Sequence, residues 1–395
     1  MAMADAEVRK PIPFDTRRLD RLLDEAGIDV LVATSKHNVQ YLLGDYKFFF
    51  FEAMDAVGIS RYLPAVVYQK GKPERTGYVG NSMEAYENEL GKLWPQNLYL
   101  STWTSPDTMQ RVVEHIAKLG PGVRRVGVEA AFLPADADKV LRSGLSNVDV
   151  VDAFFPLERL RAVKTPKEIE FLQLASERVV ESMNVVFAQC APGKTKQELA
   201  DALRVEEVKR GLAFDYCLIA AGTSLNRAPS DQKLEAGDVV SIDSGGNYHG
   251  YIGDLARMGV VGNKPDAELE DLLGFVEEVQ MASRQPIRHG APGSSICSVG
   301  EQLLSASRHK AYTHFMAHGM GLVTHEAPRL MDNGPVPYPG YDAGRPLEAG
   351  MVLSIETTMN HPKRGLVKLE DTVLVTEGGW RGLGDGVRGW QPTAG

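Results

Sequence analysis

The sequence predicts an α+β protein of two domains: an N-terminal α/β layer over residues 1–160 and a C-terminal domain over residues 161–395 that is internally duplicated. Three observations carry this reading. The chain has 395 residues, too many for one ordinary hydrophobic core. Strand and helix signals alternate through its first part. Finally, Leu234-Glu-Ala-Gly-Asp-Val-Val-Ser-Ile-Asp243 returns as Leu347-Glu-Ala-Gly-Met-Val-Leu-Ser-Ile-Glu356, and each copy closes a short apolar run on a carboxylate.

In the first domain, Arg17 to Ala26 has the 3.6-residue apolar period of a helix, and Asp29 to Thr34 reads as a buried strand. Further strands are expected at Tyr62–Tyr68, Arg124–Glu129 and Val148–Asp152, with a helix over Asp107–Leu119. The boundary falls between Phe155 and Lys164. Thr165-Pro-Lys-Glu168 then has the form of a helix start, with a capping Thr, Pro at the first helical position and Glu three residues on. A long helix runs from there to about Cys190 and stops at Ala191-Pro-Gly193. The same punctuation recurs at Ala291-Pro-Gly293, after a second helical stretch beginning near Ala267. Helical patterns follow both turns, at Gln197–Arg210 and Val299–Ser307, and the Leu-Glu-Ala-Gly strand comes next each time. Two echoes in the same order mark a duplication.

Composition narrows the function. Hydrophobic residues make up 43% and charged residues 24%, with net charge −9, which argues against a nucleic-acid partner. The start, Met1-Ala-Met-Ala-Asp-Ala-Glu7, lacks the pattern of a signal peptide, and no apolar run approaches the roughly 20 residues of a membrane span. Cys190, Cys217 and Cys297 are odd in number and scattered, which fits neither a disulfide framework nor a thiolate zinc site. A cytoplasmic protein with no membrane partner is expected.

The chemistry gathers around the repeat. Asp243 is followed by Gly245, Gly246, Gly250 and then Asp254, a spacing that suits a hairpin or bulge bringing two carboxylates together. Glu356 is followed by the turn His361-Pro-Lys-Arg-Gly365 and then Glu370. His318 adds an imidazole, and an oxygen-rich set with one imidazole suits two divalent metal ions such as Mn, Fe, Co or Zn. Four packed carboxylates repel one another, and two such ions neutralise them. Three of the chain's histidines, His314, His318 and His325, lie within twelve residues; Gly319 and Gly321 disfavour a helix, so a strand or loop is expected there.

These residues resemble the pita-bread metallohydrolases, the family of methionine aminopeptidase, aminopeptidase P, prolidase and creatinase. The resemblance covers about residues 160–380. It extends into the first domain through His37-Asn-Val-Gln-Tyr-Leu-Leu-Gly44 and Val126-Gly-Val-Glu129, which look like the creatinase-like N-terminal domain of that family. It implies that Asp243 chelates one metal, that Asp254 and Glu370 bridge, and that His318 and Glu356 hold the other metal. It further implies that Glu356 takes a proton from the bridging water, that His314 and His325 contact substrate, and that the protein is a homodimer. Two positions depart from the pattern. Asn226, twelve residues before Asp238, stands where prolidases carry a histidine, and Lys368 stands for the usual Arg two residues before the last ligand. Asn226 is kept as a substrate-binding residue.

The expected function is an Xaa-Pro dipeptidase or aminopeptidase P-type hydrolase, acting on a short peptide or small amino-acid derivative. An alternative keeps fold and metals but turns them on a non-peptide metabolite, as ectoine hydrolase or a sulfonium lyase does. There Phe48–Phe51, Tyr41, Tyr46 and Tyr62 would line a cap, against the plainer reading of Phe48–Phe51 as core or dimer-interface residues. A non-catalytic binding module is the third reading; relatives of that kind lose ligands, and this chain keeps all five.

Overall fold

A computed structural model describes residues 10–53, 56, 58–332 and 339–394 of the chain, which divides between Arg161 and Ala162 into two units. The signal-peptide question concerns residues outside those described.

The first unit holds strands β1 (Val30–Ala33), β2 (Ala65–Gln69), β3 (Gly77–Asn81), β4 (Asn97–Thr102), β5 (Arg125–Val128) and β6 (Asp149–Asp152). They form one mixed sheet in the order β4-β3-β2-β1-β5-β6. Its helices are α1 (Thr16–Ala26), α2 (Lys36–Leu42), α3 (Phe50–Ala53), α4 (Glu84–Glu89), α5 (Ser105–Leu119), α6 (Ala135–Gly144) and α7 (Phe154–Ala162). Local chemistry sets their ends. Asp15 caps α1 by accepting from the Arg18 amide at 2.9 Å, and Gly27 closes it at φ 65°. β2 begins three residues later than the sequence suggests, beyond Pro64, which has no N–H to give a ladder. The strands β3 and β4 were not among those expected from the sequence.

The aromatic run belongs to this unit's own core. Phe48 and Phe50 are buried, Phe51 stacks on Tyr62, and only Phe49 of the four is exposed. The hydroxyls of Tyr46, Tyr62 and Tyr78 all donate to the buried Glu84 carboxylate, at 2.9, 2.7 and 2.6 Å. Those tyrosines are committed to a buried acid, and Phe48 and Phe50 to the core of this unit.

The second unit holds α8 (Pro166–Phe187), α9 (Lys196–Lys209), α10 (Ala267–Arg284) and α11 (Ser294–Ala306). They pack against strands β7 (Ala213–Ala221), β8 (Val239–Tyr248), β9 (Tyr251–Val260), β10 (Thr313–Gly319), β11 (Val352–His361), β12 (Gly365–Val375) and β13 (Trp380–Leu383). The sheet order is β10-β11-β12-β9-β8-β7, with β13 beside β12. Thr165 and Glu168 form the reciprocal cap of α8 expected from the sequence. One core cluster joins α8 and α9 to β7 and β8, and another joins α10 and α11 to β10 and β11, so each half carries its own pair of helices.

The duplication is visible bond by bond. Gly237 and Gly350 both take left-handed φ, 89° and 95°, which a side chain would strain. Their amides donate to Val261 O and Val375 O, at 2.8 and 3.0 Å. Two expectations need correction. Asp243 and Glu356 do not end their strands: β8 and β11 each run five residues further. Nor do Gly245 and Gly246 make the turn. They pair in register with Asp254 and Gly253, and the chain reverses at His249 and Gly250, with φ of 53° and 96°. Gly245 is needed because a Cβ there would run into the Tyr216 ring.

Candidate metal centre

Strand register brings the acids together. Opposed residues of an antiparallel sheet share a face, and one such row runs Met316, Glu356, Glu370, Ala256, Asp243, Leu218 across six strands. Two residues along, on that same face, lie His318 on β10 and Asp254 on β9, and in the other direction Lys368 and His314. Thus five strands each deliver one of the five expected ligands to a single patch. The register also shows how the twofold is broken. Asp243 and Glu356 are counterparts, but Glu370 corresponds to Ala256 and Lys368 corresponds to Asp254.

Asp243, Asp254, His318 and Glu370 are buried, and Glu356 lines the cavity beside them. His318 Nε2 lies 3.7 Å from Glu370 Oε1 and 3.9 Å from Glu356 Oε1. One ligand atom from each of Asp254, His318 and Glu370 falls within 4.8 Å of the others, the spacing of donors around one ion. Ser354 Oγ donates to Glu370 Oε1 at 2.8 Å and fixes its rotamer.

Two fixed cations were left out of the charge count made from the sequence. Lys368 Nζ donates to Asp243 Oδ2 at 2.6 Å and lies 2.6 Å from Glu356 Oε2 and 2.7 Å from Glu370 Oε2. Arg227 makes a close ion pair with Asp243. Four carboxylates against two cations leave a formal excess of two negative charges, so a single divalent ion already neutralises the group. Burial opposes the Lys368 charge, but Asp243, Glu356 and Glu370 outweigh it and hold the ammonium protonated. Burial, with Glu370 and Asp243 beside it, pushes the Asp254 carboxyl well above its usual range.

Asp243 Oδ1, Asp254 Oδ1 and His318 Nε2 are buried atoms with no hydrogen-bond partner in the protein. Such orphans are costly unless a ligand satisfies them. An acceptor-rich, imidazole-bearing group with orphaned atoms aimed inward fits a divalent metal.

The patch floors a cavity of about 1250 Å³ within the second unit, walled by Leu218, Leu225, Leu366 and Met316 and reached by His314, His325 and Arg227. His325 stacks on His318 with ring centroids 3.8 Å apart. Burial, and then the neighbouring His318, lower its pKa to about 4, so its imidazole is neutral at pH 7. Asn226 does not line the cavity, although its neighbours Leu225 and Arg227 do; its Oδ1 accepts from the Ala228 amide at 3.0 Å in a local turn. Sequence reasoning passed over Arg227 and Tyr216, which sit on an irregular loop and on a strand with no repeat to flag it.

A site of this composition, on a duplicated sheet with paired helices, defines a metal-dependent hydrolase. Residues 170–377 match the family described as Metallopeptidase family M24, and residues 16–163 match the Creatinase/Prolidase N-terminal domain. The chain belongs to the M24 metallopeptidase family. It is 28% identical over 345 residues to an Xaa-Pro dipeptidase of Pyrococcus horikoshii, covering 84% of this chain and 93% of that one. It is 26% identical over 371 residues to an uncharacterized peptidase of Bacillus subtilis, covering 92% and 96%. Among solved structures it resembles an Xaa-Pro dipeptidase from Bacillus anthracis, with TM-score 0.78, 22% identity and coverage of 95% and 98%. The dipeptidase PepE from Mycobacterium ulcerans gives TM-score 0.75 at 25% identity, covering 96% and 98%. No helix among the described residues is long and apolar enough to cross a membrane.

Proposed function

We propose that this chain is a cytoplasmic, homodimeric hydrolase of the Xaa-Pro dipeptidase or aminopeptidase P type, with two divalent metal ions held by Asp243, Asp254, His318, Glu356 and Glu370. The observation that carries the reading is the convergence of these five side chains on one patch: Asp243, Asp254, Glu356 and Glu370 line a single cavity, and buried atoms of Asp243, Asp254 and His318 have no hydrogen-bond partner in the protein. The names of the relatives support the substrate class. Divalent ions bound there supply Lewis acidity and lower the pKa of a water towards neutrality.

The remaining work falls to the chain. Glu356, at the cavity wall, accepts the proton of the attacking water. Neutral His325 offers an N–H to the oxygen on which charge develops, and His314 lies at the rim beside the substrate. The apolar wall of Leu218, Leu225 and Leu366 receives the side chain or ring of a short peptide. Lys368 serves Asp243, Glu356 and Glu370 alike, but Arg227 adds its charge at Asp243, so that carboxylate would hold an ion less tightly.

A second reading, a small non-peptide amino-acid derivative as substrate, is favoured by the Asn226–Arg227 pair. The first of these is bonded within its own turn and does not line the cavity, and the second sets a guanidinium in its wall. Hydrolysis of Xaa-Pro dipeptides against a panel of amino-acid derivatives, by Mn-loaded protein, separates the two. His318→Ala and Asp254→Ala are each expected to lower Mn content and to cut hydrolysis by at least ~100-fold. Unchanged metal content and turnover in both variants would sink the proposal.

A further inference from the structure

The proposed ligands come from two halves of one sheet, and the ladder pairing across the seam between them is short, although one core cluster of β8, β9, β11, β12 and α10 packs both sides of it. Within the halves, the β8–β9 and β11–β12 hairpins each run through ten paired positions. Between them, among the described residues, the register of β9 with β12 is the single pair Ala256–Glu370. Glu370 is itself a ligand, and Asp254 lies two residues before Ala256. Any slide or hinge at this pair therefore changes the spacing of Asp254 from Glu370.

Arg257 fills the opposite side of the seam, fully buried. Its Nη1 donates to Ala256 O at 2.8 Å and to Glu370 O at 2.9 Å, the carbonyls of both seam residues. Its Nη2 donates to Asp371 Oδ1 at 2.7 Å and to Gly386 O at 2.8 Å, and Nε donates to Gly386 O at 3.1 Å. Asp371 follows Glu370 and so points away from the metal face. Its other oxygen takes Arg284 Nη2 at 2.6 Å and a close ion pair from Arg388.

Burying these charges costs several kcal/mol per ion before pairing, and apolar side chains would fill the same volume at no such cost. Apolar side chains would not tie two carbonyls on adjacent strands to one rigid plane, as a guanidinium does.

We infer that Arg257 is a positioning residue for the metal centre. It locks the seam between the halves, and with it the distance from Asp254 to the His318–Glu356–Glu370 group, using the C-terminal segment from Gly384 to Arg388 as its anchor. The inference rests on the metal reading above and adds a part to it that touches no metal.

The test compares the full-length protein with Arg257→Met, Arg257→Lys and Arg284→Met. Mn²⁺ affinity is measured by calorimetry and the thermal midpoint is measured without metal. Arg284 shares Asp371 and the same burial, but among the described residues it donates to neither seam carbonyl. It controls for loss of a buried ion pair as such. Arg257→Met is expected to weaken Mn²⁺ binding by roughly 10- to 100-fold, and Arg284→Met by less than about 3-fold, at comparable losses of midpoint. Arg257→Lys keeps the charge but not the planar fork, and falls between them. Affinity that tracks the midpoint alike in all variants overturns the inference, as does wild-type affinity in both Arg257 variants. If Arg257→Met does not fold, Arg257→Lys against Arg284→Met decides. Absence of Mn²⁺ binding by the wild type is a separate failure that removes the metal reading itself, and this inference with it.

Discussion

Glu207, on α9, is buried against the back of β8 with its Oε2 unpartnered, while its Oε1 accepts from Ser244 at 2.9 Å. Burial raises its pKa to about 8, against a smaller downward pull from Ser244. The folded state therefore holds a proton that the unfolded chain gives up near pH 4.5. This contribution to stability is fully present below that pH and is lost as pH rises to about 8. Glu207→Gln, which keeps the shape without the titration, should match the wild type at pH 4 and exceed it at pH 8.5. The gain is at most a few kcal/mol, at about 1.4 kcal/mol for each tenfold difference in proton affinity between the folded and unfolded chain. Denaturant midpoints at the two pH values check it, and equal differences at both would refute it. Nothing in the sequence around Glu207 distinguishes it from the part-buried Glu206 beside it on the same helix, because burial is a tertiary fact. Asp243 and Glu356 were legible because the chain states them twice. Arg257 carries no repeat and no motif; its role appears only where two strands far apart in sequence meet.

Among the elements, those with local signals came through: the helix α1, the cap of α8, and the hairpin closed by Gly365. Those defined by their neighbours did not. β4 is mostly part-buried, and β7 opens on alternating exposed and part-buried residues without a repeat to mark it. The Ala-Pro-Gly turns do not themselves stop the helices, since α8 ends at Phe187 and α10 at Arg284. β8 and β11 were cut short at their carboxylates because an acid resembles a strand end, when in fact it faces a common patch of acids. Gly253 shows how tightly β9 seats on α8: a Cβ there would lie 2.6 Å from the Ser176 backbone nitrogen. Gly253→Ala should force strand and helix apart at a cost of about 1–3 kcal/mol. Because Asp254 is the next residue, the variant should also bind Mn²⁺ more weakly. A chemical-denaturation curve and a Mn²⁺ titration read the two effects separately.

At the scale of the molecule, the five proposed ligands come from both halves of the sheet and meet in one patch. On that proposal a divalent ion would bind the assembled group and find no such group in the unfolded chain. Mn²⁺ at a hundredfold excess over its dissociation constant should therefore stabilise the fold by about 2.7 kcal/mol, reversed by chelator. A thermal midpoint indifferent to Mn²⁺ would argue against a centre that spans the halves. The two-domain plan was readable from length and alternation, and the duplication from its echoes. The two cations in the cluster were not weighed, since a charge count by motif sees ligands and not their neighbours.

The broken twofold has a consequence for whatever enters the cavity. A duplicated sheet left intact would present the same chemistry at both ends and accept a guest in either of two senses. Here the β10 flank offers the imidazoles of His314 and His325, while the β7 flank offers the guanidinium of Arg227. Lys368, in the place where symmetry would put a second Asp254, breaks the likeness of the halves a second time. The cavity thus has a heading, and a guest with unlike ends is read in one direction only.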